Sequence, residues 1–392
     1  MWAVPDTTVG QRVGTVTQHA HAAGTVTIDR AAIAANTRLL ADRAGGELMA
    51  VVKADGFGHG SVEVATAALA NGATRLGVTC LAEALPLREA GLTAPILSWL
   101  DGPGADFSAA VKHDIELAVP DRAHLDAIAR QATGTRVHLH LDIGLAREGA
   151  APADWPDLCR AAHRLERQGV LRVVGLMGHL PCADDPAHPS NAVGRARFDW
   201  GVQIARAAGL RLVHRHLAAT AATLVDPLSH HTMSRVGAGL VGIDPSGTTR
   251  LRSAMSLSAP LAQIRRVSAG TAVGYGHTWS APDRTTLALV PLGYADGLPR
   301  LASGRAQVFV RGRRRPVVGR VSMDSLVIEL GDEPADPGET AIVFGSGDHG
   351  EPTAADWARW GQTIEHEIVV AVGACARRTT SAPGRVRIVD VR

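Results

Sequence analysis

The chain has 392 residues, of which 46% are hydrophobic and 20% are charged. This balance is that of a folded globular protein and excludes a wholly disordered or fibrous chain. Forty Lys and Arg residues against 38 Asp and Glu residues leave a formal charge of +2, so composition indicates no nucleic-acid partner and no membrane partner. At roughly 100–200 residues per domain, the length predicts two or three domains.

The four cysteines lie far apart and form no CxxC pair: Cys80, Cys159, Cys182 and Cys375. We therefore expect neither a disulfide framework nor a metal site, and we predict reduced thiols in a cytoplasmic protein. No stretch approaches ~20 uninterrupted apolar residues, so no membrane span is expected. The first residues lack the pattern of a secretion signal, and we predict a flexible tail over residues 1–24.

Between residues 25 and 250, short apolar runs alternate with helical patterns. The expected strands lie at 48–52, 75–79, 95–100, 116–119, 136–142, 172–178, 212–217 and 235–242. The expected helices lie at 31–45, 61–72, 81–91, 122–132 and 191–210. Eight alternating strands and helices predict an α/β fold, an eight-stranded β/α barrel of the TIM type. An open doubly wound sheet is the alternative, but it usually carries a GxGxxG turn after its first strand, and none is present here.

The pattern changes near residue 250. Short β-type runs such as TLALVPL, AQVFVRG and SLVIEL then alternate with Gly, Pro, Asp and Ser turns, and one helical pattern, TAADWARWGQT, interrupts them. We therefore predict a barrel domain over residues 25–250 and a mostly β C-terminal domain over residues 251–392.

Reactive groups of a β/α barrel gather at the carboxyl ends of its strands. The polar or glycine candidates at these ends are Lys53, Arg147, His179, Thr220, Arg235 and Gly237. The loops after strands seven and eight often hold a phosphate in such barrels, and Thr220 and Gly237 lie there.

Lys53 is the most informative candidate, because a lysine directly after an apolar strand is expensive to bury and this chain has very few lysines. A buried amine with a lowered pKa can form a Schiff base with an aldehyde. The alternative is a structural lysine paired with an acid such as Asp55. Periodicity alone leaves both interpretations open.

The segment AVVKADGFGHG (50–60) resembles the pyridoxal-phosphate lysine motif of the alanine racemase family, whose usual form is AVVKANAYGHG. Further segments resemble the family in the family's order over roughly residues 25–380: GLMGHL, HLAATAA, SRVGAGLVG, VGYGHT, PLGYADGLPR, GRVSMD and TIEHEI. The resemblance implies a pyridoxal 5'-phosphate-dependent isomerase that interconverts L- and D-alanine.

Racemisation needs a proton acceptor on each face of the substrate carbanion. The resemblance implies that Lys53 binds the cofactor and is one base, and that Tyr275 of the partner subunit, in a head-to-tail homodimer with shared active sites, is the other. His179 and Arg235 would assist the tyrosine, and Arg235 would also face the pyridine nitrogen. Because a guanidinium keeps its proton, the ring nitrogen would stay largely unprotonated, which favours proton return over transamination.

The resemblance places Arg147 at the phenolic oxygen of the cofactor and at the substrate. Met323 and Asp324 resemble partner-subunit residues on the substrate carboxylate side. Tyr294 resembles a residue of the access channel, with a packed interface aromatic as the alternative. The remaining residues that the resemblance brings to the cofactor are Thr220, Gly237 and His366.

Four positions depart from the family pattern. Phe57 and His366 replace tyrosines, Ala219 replaces an asparagine, and His140 replaces a lysine that can be carbamylated and orient the arginine. Each lost neutral hydrogen bond is worth roughly 0.5–1.5 kcal/mol, so cofactor or substrate would be held more weakly unless His366 compensates at the phosphate.

Two alternative functions remain open. The departures also suit a specialised paralogue that acts on serine or a bulkier amino acid, or that performs aldol-type carbon–carbon chemistry with the same cofactor. A protein that binds pyridoxal phosphate without robust catalysis is the second alternative, although the complete C-terminal domain with Tyr275 argues against it. The loop at 179–188 contains His, Cys and Asp but matches no standard zinc signature, and the arginine run at 311–316 is expected to be a solvated β turn.

Overall fold

The computed structural model describes residues 24–375 and 386–389. Apart from Gly24, the predicted N-terminal tail lies outside the described residues. Within the described ranges, no helix is long and apolar enough to cross a membrane.

The first strand, β1 (Thr25–Ile28), precedes eight parallel strands. These are β2 (Glu47–Val51), β3 (Arg75–Val78), β4 (Ile96–Ser98), β5 (Ile115–Val119), β6 (Thr135–His140), β7 (Leu171–Met177), β8 (His214–His216) and β9 (Met233–Val236). The helices of this part are α1 (Arg30–Arg43), α2 (Lys53–Phe57), α3 (Ser61–Leu69), α4 (Leu81–Glu89), α5 (Ser108–Lys112), α6 (Arg122–Gln131), α7 (Trp155–Arg167), α8 (Pro189–Ala207) and α9 (Thr220–Val225). All eight predicted strands are present, and the bounds of the first seven agree with the prediction within two residues. The eighth was predicted over 235–242 but is β9 at 233–236, because a 3-10 turn over Ala238–Val241 follows it.

The eight strands close into a barrel. From β2 to β8 each strand pairs with the next in the chain, and β9 returns to pair with β2. Two hydrogen bonds join the remaining edges, from Thr232 N–H to Arg215 O at 3.1 Å and from Arg235 N–H to Ala218 O at 3.0 Å. The barrel prediction is confirmed, and the open-sheet alternative is wrong because an open sheet would leave both edge strands apart.

Alternate residues of each strand face two different environments. On β2, Leu48 and Ala50 belong to the large apolar core beneath the helices, whereas Met49 belongs to a separate small cluster inside the barrel. That inner cluster consists of Met49, Leu97, Ala118, Met177 and Met233, with Trp99 packed against it. This two-residue alternation is what a closed barrel imposes on its strands.

Helix α7 was not predicted from the sequence. Sequence reasoning missed a clear amphipathic pattern here, in which the buried face comprises Trp155, Leu158, Cys159, Ala161 and Ala162 and the exposed face carries Asp157, Arg160, Arg164 and Arg167. The large side chain of Trp155 is also fully buried, and its indole N–H donates to the Gly201 carbonyl of α8 at 2.9 Å. The local pattern therefore encodes the helix, and only its packing partner, α8, had to come from the tertiary structure.

The C-terminal part is an antiparallel β structure, as predicted. Its strands are β10 (Met255–Pro260), β11 (Gln263–Val267), β12 (Ala272–Val273), β13 (Trp279–Ser280), β14 (Thr285–Val290), β15 (Gln307–Val310), β16 (Arg313–Val318), β17 (Leu326–Gly331), β18 (Thr340–Phe344) and β19 (Val386–Val389). Apart from the β12–β13 hairpin, they form one nine-stranded sheet in the order β11-β14-β17-β16-β15-β18-β10-β1-β19. Strand β1 thus lies in this sheet, with Ile28 opposite Met255, although the predicted barrel domain began at residue 25.

Two helices belong to the C-terminal part, α10 (Ala354–Gly361) and α11 (Glu365–Cys375). The sequence predicted only the first. Helix α11 lies against the turn that follows Lys53, and a Cβ at Gly58 or at Gly373 would collide with the backbone of the other segment. This close approach brings the start of α11, and with it His366, to the carboxyl end of the barrel.

Candidate active site

A cavity of about 320 Å³ opens at the carboxyl ends of the barrel strands. Seven predicted site residues line it: Lys53, Arg147, His179, Thr220, Arg235, Gly237 and His366. The cavity lining within the described residues does not include Tyr275, Tyr294, Met323 or Asp324. One chain therefore assembles part of the predicted site and leaves four of its residues elsewhere.

Lys53 begins α2, a short helix with left-handed backbone. Within α2, the non-glycine residues with positive φ are Ala54 (49°), Asp55 (53°) and Phe57 (55°). Left-handed geometry costs roughly 1–2 kcal/mol per such residue, so it persists only where neighbouring contacts enforce it. Here Glu83 accepts the Ala54 N–H at 2.7 Å, and the Asp55 carboxylate accepts the Ser61 N–H at 2.9 Å. These contacts fix the position at which Lys53 leaves the strand.

The pKa of Lys53 is lowered from its usual value. Burial is the largest cause and the positive charge of Arg147 is the next, while the carboxylates of Glu148 and Glu83 oppose them. A lowered pKa increases the fraction of neutral amine, which is the form that attacks a carbonyl carbon.

Arg235 stands on β9, beside Lys53 in the cavity, and is almost fully buried. Its Nη1 donates to the carbonyl of His216 at 2.6 Å, and its Nη2 donates to the carbonyl of Gly178 at 2.7 Å and to Nδ1 of His179 at 3.2 Å. Burial lowers the pKa of Arg235 to about 10, so it remains a cation at neutral pH. The side chain offers only donors, in one fixed orientation.

A hydrogen-bonded chain continues from Arg235 into the barrel. Arg235 Nη1 lies 3.2 Å from His216 Nδ1, His216 Nε2 lies 2.8 Å from His138 Nδ1, and His138 Nε2 lies 3.0 Å from Glu116 Oε2. Burial lowers the pKa of both histidines, so each is neutral with one N–H. Because Glu116 accepts and Arg235 donates, each histidine must carry its proton on Nε2, and every contact of the chain is then satisfied.

Glu116 is the anionic end of this chain. Burial acts to raise its pKa, but the hydrogen bond from His138 and the charge of Arg75 lower it more, so the net pKa lies below the usual value. Arg75 pairs with one carboxylate oxygen and Arg136 Nε donates to the other at 2.9 Å. Sequence reasoning missed this network, although polar His138 and His140 at alternate positions of a barrel strand were a signal for inward-facing groups.

His179 is neutral in the cavity. Burial lowers its pKa to about 3, reinforced by the positive charges of Arg235, Arg147 and Lys53. Since its Nδ1 accepts from Arg235, its proton is on Nε2. His179 can therefore donate one hydrogen bond to a group that enters the site.

Thr220 and Gly237 lie together at the ends of the last two strands. The hydroxyl oxygen of Thr220 accepts the N–H of Gly237 at 3.3 Å and that of Gly239 at 3.2 Å, so its own proton is available to an acceptor in the cavity. On the same side, the ring of Phe57 lies 6.1 Å from the ring of His366. Burial, and then the charge of Lys53, lower the pKa of His366.

Arg147 lines the cavity, and 59% of its side chain is exposed. Its Nη2 donates to Glu148 Oε1 at 2.8 Å. Sequence reasoning missed Glu148, which also lines the cavity. Behind them, burial lowers the pKa of His140 to about 4, so this residue is neutral.

Three of the predicted residues that do not line the cavity lie exposed on the C-terminal domain, and we call Tyr275, Tyr294 and Met323 the tyrosine face. Tyr275 is 72% exposed. The Tyr294 N–H donates to Ser322 O at 3.0 Å, which joins its turn to the Met323 loop. The turn after Tyr275 lies near the same loop, since a Cβ at Gly276 would be 3.0 Å from Arg320 Nη1.

The remaining polar segments have local partners. In the loop at 179–188, Asp185 accepts the Ala187 N–H, and the described residues contain no group of three His, Cys, Asp or Glu placed to hold a metal ion. The arginine run at 311–316, expected to be a solvated turn, begins in the β15–β16 turn but continues into β16. Its arginines pair with carboxylates, as Arg311 does with Glu339 and the mostly buried Arg315 does with Glu333.

Pyridoxal phosphate fits the residues present. Lys53 supplies an amine with lowered pKa, Arg235 a fixed donor for a ring nitrogen, and Thr220 a hydroxyl proton for a phosphate oxygen, all in one cavity. Backbone amides beside Thr220 add neutral donors of the kind that phosphate groups use.

Two family models cover most of the chain: one described as alanine racemase, N-terminal domain, matches residues 28–245, and one described as alanine racemase, C-terminal domain, matches residues 254–380. An alanine racemase of Frankia casuarinae is 46% identical over 358 residues, which are 88% of this chain and 93% of that protein. The structure of alanine racemase from Streptomyces coelicolor is similar with a TM-score of 0.87 and 44% identity, over 90% of this chain and 96% of that one. The structure of alanine racemase from Bartonella henselae, described as carrying covalently bound pyridoxal phosphate, has a TM-score of 0.81 and 25% identity, over 90% of this chain and 98% of that one. The chain therefore belongs to the alanine racemase family.

Proposed function

We propose that this protein is a pyridoxal-phosphate-dependent racemase that interconverts L- and D-alanine. The observation that carries the proposal is the pairing, in one cavity, of Lys53 with lowered pKa and the locked guanidinium of Arg235. Family membership supports both the cofactor and the substrate, since the relatives that match over most of the chain are alanine racemases.

Bound pyridoxal phosphate withdraws electrons from the α-carbon of an amino acid and so makes the α-proton removable. Lys53 holds the cofactor and takes or returns the α-proton on one face. The terminal nitrogens of Arg235 already donate to protein acceptors, so its Nε–H would be the donor that faces the ring nitrogen. Because a guanidinium cannot readily give up its proton, this contact would limit electron withdrawal and favour return of the proton to the α-carbon. Thr220, Gly237 and His366 hold the phosphate.

The second base is the partner subunit's Tyr275. Tyr275 is exposed and lies outside the cavity lining, which supports a homodimer in which each subunit's tyrosine face covers the other's cavity. The neutral His179 then donates from Nε2 to the incoming phenolic oxygen. This donation stabilises a phenolate and helps a group with a usual pKa of about 10 to act as a base.

The substrate carboxylate side is formed by Arg147 together with the partner subunit's Met323 and the partner subunit's Asp324, and Tyr294 lines the access channel. Arg147 would also donate to the phenolic oxygen of a bound cofactor. Arg147 lines the cavity, whereas Tyr294, Met323 and Asp324 lie exposed on the C-terminal domain, from which a partner subunit can bring them to the cavity.

The test is a chiral assay of purified protein supplied with pyridoxal phosphate and either L- or D-alanine. We expect both reactions to converge on a racemic mixture. A parallel exchange experiment in D2O, across alanine, serine and bulkier amino acids, separates the alternatives: exchange confined to a hydroxy-amino acid favours a specialised paralogue, and bound cofactor without exchange of any α-proton favours a binding protein.

We also propose that the protein functions in the cytoplasm. All four cysteines are free thiols, which suits a reducing compartment. The test is cell fractionation followed by thiol titration. We expect the protein in the cytoplasmic fraction, with all four cysteines titrating as thiols.

A further inference from the structure

The loop that carries Arg147 and Glu148 has a fixed backbone. One carboxylate oxygen of Asp142 accepts the N–H groups of Gly144 and Ala146 at 2.8 and 3.1 Å, and the Ala150 N–H donates to His140 O at 2.8 Å. A Cβ at Gly149 would lie 2.7 Å from the Asp142 nitrogen, so this position accepts only glycine. The loop is therefore closed onto the end of β6 on both sides of Arg147.

The side chains of the two residues differ in their environments. The side chain of Arg147 is 59% exposed, whereas that of Glu148 is 10% exposed. The backbone of the loop does not hold a long exposed guanidinium in place, because an arginine has four rotatable bonds beyond it. The hydrogen bond from Arg147 Nη2 to Glu148 Oε1, at 2.8 Å, supplies that restraint from the more buried side.

The charges of the cavity point to the same residue. Lys53, Arg147 and Arg235 are cationic and line the cavity, while the histidines there are neutral. The acidic lining residues are Glu148 and the exposed Asp184. Glu148 is thus the one acid that lies among all three cations with its side chain mostly buried, and its charge acts on Lys53, His140 and Arg235.

We propose that Glu148 is a positioning residue: its carboxylate holds the guanidinium of Arg147 over the cavity and balances the positive charge around Lys53. Its effect on cofactor and substrate binding acts through Arg147, its charge acts directly on the nitrogen at Lys53, and it touches neither substrate nor cofactor itself. The inference rests on the proposed role of Arg147 in contacting cofactor and substrate.

The experiment compares Glu148→Leu, Glu148→Gln and Glu148→Asp with the wild type in three measurements: the pyridoxal-phosphate dissociation constant of the cofactor-free protein, KM and kcat for alanine, and the absorbance of the bound cofactor against pH. A charge-assisted hydrogen bond that is partly exposed contributes about three- to tenfold in a binding constant. We expect Glu148→Leu to raise the cofactor Kd and the alanine KM by this factor, Glu148→Gln to do so by less, and Glu148→Asp to restore most of the loss. Both Glu148→Leu and Glu148→Gln should shift the pH midpoint of the absorbance downwards, because the carboxylate favours a protonated nitrogen at Lys53.

A double-mutant cycle with Arg147→Gln tests whether Glu148 acts through Arg147. We expect Arg147→Gln to weaken cofactor binding by itself, and the further change Glu148→Leu to add little. The matched control is Asp126→Asn, which removes an acid from the exposed pair with Arg122 and should leave all three measurements unchanged.

The proposal is overturned if Glu148→Leu and Glu148→Gln keep the wild-type Kd, KM and absorbance midpoint within twofold, even with a lowered melting temperature. Additive increases of the cofactor Kd in the double variant also overturn it, because they show that Glu148 does not hold the cofactor through Arg147. If the wild type binds the cofactor but does not racemise alanine, the proposed function fails while the Kd series and the absorbance midpoints still decide the role of Glu148.

Discussion

The cavity and the tyrosine face both carry predicted site residues, but these residues lie in opposite environments. In the cavity, Arg235 is buried and each of its terminal nitrogens donates to a protein carbonyl. A separate chain of two histidines connects it to Glu116. On the tyrosine face, Tyr275 is 72% exposed. One region is complete within a single chain, and the other presents its groups outwards.

This difference teaches how the work is divided. A buried polar network is tolerated only when its members are satisfied, so the cavity must be assembled during folding of one chain. Exposed large apolar side chains grouped on one surface are typical of interaction sites. Holding of the cofactor is thus expected to survive in a separated subunit, whereas two-base catalysis is expected to require the second one.

The largest effect is expected from Lys53→Ala, which removes both the attachment point of the cofactor and one base. We expect loss of racemisation on the order of 10⁴-fold or more, measured by chiral analysis of alanine. Lys112→Ala is the matched control, because it changes the chain's other lysine, which is exposed at the end of α5. Turnover that persists in Lys53→Ala would sink the mechanism.

Tyr275→Phe should lower turnover by roughly 10²–10⁴-fold while leaving cofactor binding nearly intact, because the tyrosine lies outside the cavity of its own chain. The division between subunits is tested by mixing this variant with Lys53→Ala. If the site is shared, half of randomly re-formed dimers are hybrids with one intact site, and about a quarter of wild-type activity returns. No recovery after verified subunit exchange would contradict the shared site.

Glu116→Gln removes the negative charge at the far end of the hydrogen-bonded chain that begins at Arg235. Loss of one partner from a buried charge network costs about 3–5 kcal/mol, and we expect a decrease of this size in the free energy of unfolding at pH 7. The pKa of Glu116 is lower in the folded than in the unfolded chain, so the unfolded chain takes up the proton first as the pH falls. The wild-type advantage should therefore be full above about pH 4.5 and shrink below it, as urea titrations at several pH values would show. A difference that stays constant with pH would exclude this role.

The smallest effect is expected from Phe57→Tyr, which returns a phenol to the phosphate side of the cavity. One neutral hydrogen bond is worth about two- to tenfold, so the pyridoxal-phosphate Kd should fall by this factor. Phe309→Tyr on β15 is the control, since it adds the same hydroxyl outside the cavity lining. An unchanged or higher Kd in Phe57→Tyr would indicate that His366 already occupies the position of the missing donor.

Sequence reasoning located residues whose signal is local and missed residues whose partners lie elsewhere in the chain. Lys53 could be located because strand β2 is a local apolar run with a lysine at its end. Glu148 could not, because its significance comes from burial beside Arg147 and from the cations across the cavity. Glu116 was likewise unmarked, since its partners lie on two other strands, β3 and β6.

The amino-acid sequence by itself determined the order of eight barrel strands, the β character of the C-terminal part and six of the predicted residues that line the cavity, because these follow from short-range alternation and from positions at strand ends. The seventh, His366, followed only from the resemblance to the family. Only the tertiary structure decided that β1 joins the C-terminal sheet, that the histidines between Arg235 and Glu116 are neutral and oriented one way, and that the tyrosine face is exposed. The physical reason is that pairing, burial and charge compensation depend on groups brought together from distant parts of the chain.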